Sequence, residues 1–174
     1  GVPRTITELT KERLRRAGAK VAEDHPDHDG DLGFRVFKLD SSNLRPWDPH
    51  PEDLAATLEQ AAEHVKPDRS DQDVLCEILL KLGLDLCVPI QTTSISGLDV
   101  HAIGGGVLVA CLDDKLPDDQ LEELATGIAE WVTKLQPIGD TTCVFRDSAF
   151  TDDVSKTNLT TALAQTGITT VRSI

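Results

Sequence analysis

From residue 107 to the end of the chain, apolar runs with strand character alternate with segments of helical period. Val107-Leu108-Val109-Ala110-Cys111-Leu112 is an unbroken apolar run, which suits a central strand covered on both faces. Pro117 then opens a helix predicted over 117–135, with Leu121, Leu124, Ile128, Trp131 and Leu135 on one face. Thr141 to Arg146 reads as a strand, Asp152 or Asp153 begins a helix running to about Gln165, and Ile168 to Ile174 forms a last short strand. Strand–helix–strand–helix–strand requires at least partly parallel pairing, because each helix carries the chain back across the sheet.

The segment before it makes the sheet mixed. Cys87 to Thr93 and Val100 to Ile103 read as two strands joined by a turn at Ser96-Gly97. Further upstream, Ser70 caps a helix predicted over 71–82 that Gly83 ends, and Pro51 opens one predicted over about 52–65. Asp40 to Pro51 is loop. A first helix over 4–24 starts at the capping spacing Thr5-Ile6-Thr7-Glu8, followed by a turn-rich loop over 25–31 and a strand from Gly33 to Leu39. The expected fold is a single α/β domain with a mixed, partly parallel sheet flanked by helices. Residues 1–47 supply its N-terminal helix, loop and first strand, and residues 48–174 its acidic body.

Charge separates the same two parts. The chain carries −13 overall, of which residues 1–47 contribute +1 and residues 48–174 contribute −14. Such a body repels phosphate backbones and has no counterions to release on them. Only the basic run around Lys11, Arg13, Arg15 and Arg16, with Lys20 one turn on, offers a surface for nucleic acid or an acidic partner. Pairing of these cations with neighbouring carboxylates is the preferred reading. No apolar run reaches the roughly 18 residues needed to cross a bilayer. The cysteines Cys76, Cys87, Cys111 and Cys143 sit in apolar stretches without CxxC spacing, which reads as small buried hydrophobes in a reducing cytoplasm.

Several motifs invite a chemical role and have a plainer one. Gly104-Gly105-Gly106 leads into a strand and lacks a following Gly-Lys-Ser/Thr, so it is a turn and not a phosphate loop. The crowded Asp24-His25, Asp27-His28-Asp29 and Asp31 place Leu32 and Lys38 where a calcium loop needs Gly and Glu, so they form a solvated loop. His101, Asp147-Ser148 and Asp152-Asp153 show no spacing that assembles nucleophile, base and orienter. Asp113-Asp114 and Asp118-Asp119 are expected at a helix start, where they complement its dipole. Lys156 and Asn158 either cap and pair locally or face a partner, and the local role is preferred.

Two stretches carry more information than their composition. One runs Gly30-Asp31-Leu32-Gly33-Phe34-Arg35-Val36-Phe37-Lys38-Leu39-Asp40-Ser41-Ser42-Asn43. The other runs Phe145-Arg146-Asp147-Ser148-Ala149-Phe150, then Asp152-Asp153-Val154, Lys156-Thr157-Asn158-Leu159 and Val171-Arg172-Ser173-Ile174. With Thr5-Ile6 and Lys11 to Arg16, they resemble the C-terminal region of type III restriction–modification methyltransferase subunits, the Mod proteins, over essentially the whole chain. The chain begins at Gly1 and contains no Met, and it is expected to be a piece of such a longer protein.

The resemblance implies a cytoplasmic parent that methylates adenine N6 in DNA with S-adenosylmethionine, as a dimer that pairs with a helicase–nuclease subunit, Res. The family's Asp-Pro-Pro-Tyr signature, which grips a flipped adenine, needs a Tyr that this chain lacks. No Phe is followed two residues later by Gly, so the Phe-x-Gly cofactor motif is absent too. The fragment is therefore expected to hold no catalytic, cofactor or metal site. Its expected partners are the rest of Mod, a second Mod and Res, with DNA met only indirectly and no membrane. The expected role is subunit assembly. The alternatives are DNA contact through the basic helix, or an unrelated small-molecule-binding α/β domain.

Overall fold

A computed structural model describes residues 5–45 and 65–174. Contacts divide the chain into two units, Gly1–Asp40 and Ser41–Ile174. The helix expected over 52–65 falls largely outside the described residues.

The larger unit is a mixed five-stranded sheet in the order β1-β2-β3-β4-β5, comprising Ile90–Ile95, Leu98–Ile103, Leu108–Cys111, Thr142–Phe145 and Thr170–Ser173. The β1–β2 and β2–β3 pairs are antiparallel, whereas β3–β4 and β4–β5 are parallel. Ser96 and Gly97 close the hairpin with φ of 53° and 83°, the paired positive values that a two-residue turn needs to match strand twist. Gly104, Gly105 and Gly106 all have positive φ, and Gly106 N–H donates back to the Ile103 carbonyl, so the triple glycine is a strand-to-strand turn.

Helices cover both faces. The α1 helix, Ile6–Asp24, belongs to the smaller unit. The larger unit holds α2 over Asp71–Leu82, α3 over Leu121–Leu135 and α4 over Asp153–Gln165. Side chains alternate across β3 and β4 with the period of two that a strand imposes. Val109, Cys111, Cys143 and Phe145 pack with Leu124 and Ile128 of α3 and with Leu159 and Leu163 of α4. Leu108, Ala110 and Val144 point the other way and pack with Val74, Leu75, Ile78 and Leu79 of α2. All four residues of β3 are buried, which is why its sequence shows no polar face.

The helix ends follow local chemistry. Ser70 and Asp73 form a reciprocal capping box, and Gly83 leaves α2 with φ of 70°. Asp152 caps α4 by accepting from Ser155 N–H at 2.8 Å. A short 3-10 turn, Asp118–Gln120, precedes α3, so Pro117 opens this turn and α3 begins at Leu121.

Three sequence expectations need correction. Gly33 to Leu39 has strand composition but joins no ladder, since a strand exists only where a neighbour accepts its backbone hydrogen bonds. Its apolar residues instead line a groove with α1, and Arg15 lies 6.0 Å from the Phe34 ring centre. Asp113 and Asp114 do not start a helix. They lie just beyond β3, where Asp113 accepts from Asp99 N–H at 2.8 Å. Cys87 is exposed, unlike the buried Cys111 and Cys143, because it sits in the loop before β1.

Candidate functional site

The three parallel strands end at one edge of the sheet, and polar residues that follow β3 and β4 gather there. Ligands of parallel sheets bind at this edge because it carries the loops and leaves backbone groups free. Beyond β4, Arg146 donates from Nε to Ser148 Oγ at 3.0 Å and from Nη1 to the Asp114 carboxylate beyond β3. The Arg146 side chain is only 16% exposed, whereas Asp114 is 83% exposed. Arg69, also 16% exposed, lies 3.5 Å from the Asp68 carboxylate and donates from Nη2 to Ser41 Oγ at 3.3 Å. Lys66 Nζ donates to the same Ser41 Oγ at 2.9 Å and to the Ser42 carbonyl.

Lys66, Arg69, Lys115 and Arg146 thus line one cleft of about 490 Å³, with Asp114, Ser148, Val65 and Pro67. Four of the eight Lys and Arg residues of the acidic body converge there. A smaller adjoining pocket of about 130 Å³ adds Asp71, Leu112 and Ile174. Burial first, and then the Asp113 charge, raise the Asp71 carboxyl above its ordinary value.

The segment at Ser41 and Ser42 is tied to the residues of this cleft. Ser41 and Ser42 accept from Lys66 and Ser41 also from Arg69, while Arg146 and Ser148 line the cleft and Ile174 the adjoining pocket. The same loop is anchored to α2, where Glu77 accepts from Ser42 Oγ at 2.5 Å, Asn43 N–H at 2.6 Å and Lys81 Nζ at 2.9 Å. Burial disfavours the charged Glu77, but these donors together outweigh it and hold its carboxyl at about 2. Sequence reasoning missed Lys66, Arg69 and Lys115. Lys66 and Arg69 lie three residues apart, but Lys115 and Arg146 come from two other segments, and no spacing links the three segments.

Lys156 makes local contacts. It donates to Asp147 Oδ1 at 2.6 Å and to Ser173 Oγ at 2.8 Å, joining α4 to the ends of β4 and β5. Asn158 is exposed on the other side of the helix, in a shallow groove between α3 and α4 lined by Asp118, Glu122 and Asp152. In that groove Ser155 Oγ lies 2.6 Å from Asp118 Oδ1 and 2.8 Å from Asp152 Oδ1, pinning the α4 cap to the preceding 3-10 turn.

In the smaller unit, Arg15 and Arg16 both pair with Glu12 on α1, Arg16 at 2.8 Å. Lys11 lines the apolar groove beside Leu14 and Phe34, while Arg13 and Lys20 are exposed. No described side chain of this unit is buried, and Ile6 and Leu39 are 85% and 97% exposed. In the acidic loop, Asp31 accepts from Gly33 N–H at 2.7 Å. Among the described residues no three His, Cys, Asp or Glu side chains group as metal ligands. His101 Nδ1 lies 2.9 Å from Thr92 Oγ1 across the hairpin.

No protein family, curated protein or solved structure matches this chain. The resemblance to Mod subunits rests on the motifs quoted from its sequence.

Proposed function

We propose that the chain is a non-catalytic assembly domain of a cytoplasmic adenine-N6 DNA methyltransferase of the Mod type, and that Gly1–Asp40 is the part that docks. One observation supports this reading most directly. The smaller unit displays Ile6, Leu9, Leu14, Phe34, Val36, Phe37 and Leu39 as exposed large hydrophobics and buries no described side chain. Water-facing apolar surface of that density marks an interface, because its burial against a protein is where the free energy lies. The Mod resemblance names the partner surfaces as the rest of Mod, a second Mod or Res. S-adenosylmethionine and the methyl transfer belong to the parent protein in this reading. Among the described residues no helix is long and apolar enough to cross a membrane.

Light scattering on the chain, alone and mixed with Res or with the remainder of Mod, tests the proposal. The expected result is a stable complex in at least one case, lost on replacing Phe34 and Phe37 by Ser. A strict monomer that ignores both partners overturns it.

The exposure of Arg13 and Lys20 favours a second reading, in which α1 touches DNA. Reversing the charge of Arg13, Arg15 and Arg16 in the full enzyme should then flatten the salt dependence of DNA binding. The shared pairing of Arg15 and Arg16 with Glu12 weakens this reading.

A further inference from the structure

We propose that the cleft at the carboxyl ends of β3 and β4 is a binding site for the phosphate group of a small molecule, with Lys66, Arg69, Lys115 and Arg146 as its cationic wall. This site is independent of the assembly role, since its lining lies entirely within Ser41–Ile174.

The charge pattern is the first support. The surrounding body carries −14, yet among the described lining residues four are cations and one, Asp114, is a carboxylate. Like charges gathered against the sign of the whole surface repel one another in the empty state, and a dianion relieves that repulsion. Among the described residues, Asp68, beside Arg69, and Asp71, in the adjoining pocket, are further carboxylates at its border.

Geometry is the second support. Both arginines are largely covered while their carboxylate partners Asp68 and Asp114 face water. A solvated carboxylate gains little from such a pair, so a ligand can take its place at small cost. The remaining Arg146 nitrogen, Nη2, donates to no described residue and is left for the ligand. A planar guanidinium presents parallel donors that fit two oxygens of a phosphate, and Ser148 adds a hydroxyl. Lys115 is exposed at the rim and pairs with no described carboxylate, so it supplies charge that folding does not use. Duplex nucleic acid fits poorly, because its backbone would extend over the acidic remainder of the body.

Isothermal titration of the whole chain with inorganic phosphate and with adenosine 5′-monophosphate, at low and constant ionic strength, tests the site. Saturable one-to-one binding of phosphate is expected. Lys115→Glu should weaken it at least tenfold, whereas Lys134→Glu at an exposed position of α3, which changes net charge equally, should leave it within twofold. Tighter binding of the nucleotide identifies a nucleotide-phosphate site, and equal binding a site for the oxyanion alone; both support the proposal. No saturable binding of either ligand overturns it, and so does equal weakening by the two charge reversals. Urea unfolding of each variant confirms that the fold is intact.

Discussion

The Glu77 carboxylate accepts the backbone N–H of Asn43 at 2.6 Å, across 34 residues of chain. With Ser42 and Lys81 it fixes the loop that in turn holds Lys66 and Arg69 at the cleft. Since this carboxyl is lowered to about 2 from an ordinary 4.5, its stabilisation is complete above pH 4.5 and is lost as pH falls toward 2. Glu77→Gln should cost roughly 2–3 kcal/mol at pH 7 and almost nothing at pH 2, as denaturant unfolding at the two pH values will show. A cost independent of pH would mean that the charge of Glu77 contributes nothing.

Gly127 in α3 packs directly on Ile95 of the β1–β2 hairpin, and a Cβ at Gly127 would overlap Ile95 Cγ2. That methyl is branched at Cβ and cannot swing aside without changing χ1. Gly127→Ala should therefore destabilise by about 1–2 kcal/mol, although Ala is the better helix former. Ile95→Ala in the same chain should recover most of this loss, and a double-mutant cycle measures the coupling.

The cysteines should divide by depth. Burial pushes the Cys143 thiol up to about 12, and burial together with the Asp113 charge does the same for Cys111. Thiolates are the reactive species, so both should resist alkylation in the native state. Mass spectrometry should show Cys87 labelled within minutes, half-buried Cys76 more slowly, and all four cysteines only on unfolding.

Lys156→Ala removes hydrogen bonds to Asp147 and Ser173 and should cost about 0.5–1 kcal/mol in urea unfolding, as expected of a partly exposed ion pair. Asn158→Ala should change stability by less than about 0.5 kcal/mol, since its side chain is exposed. An equal loss in the two variants would contradict the structural role assigned to Lys156.

Phe145 is fully buried in β4 and meets Phe150 edge-on with ring centres 6.1 Å apart. Phe145→Ala should cost about 3–5 kcal/mol, because it removes core volume between the sheet and its helices. Calorimetric unfolding provides the check, and a loss below 1 kcal/mol would show that the core refills the space.

The described helices and strands of the larger unit were legible because local signals agree with burial. Ser70 with Asp73 caps α2, Gly83 ends it, Ser96-Gly97 turns the hairpin, and the unbroken apolar run marks β3 as central. Gly33 to Leu39 was misread because its alternation cannot reveal whether a pairing strand exists. Asp113-Asp114 was misplaced because a carboxylate pair serves equally well beyond a strand or before a helix.

The sequence by itself determined the order of elements from Ser70 onward, the mixed pairing and the acidic body, since hydrophobic period and net charge are local or additive properties. Only the tertiary structure decided that Lys66, Arg69, Lys115 and Arg146 share one cleft against that charge. They come from three separate segments, brought together where parallel strands end side by side. Proximity of that kind is a property of the packed sheet, and no interval along the chain encodes it.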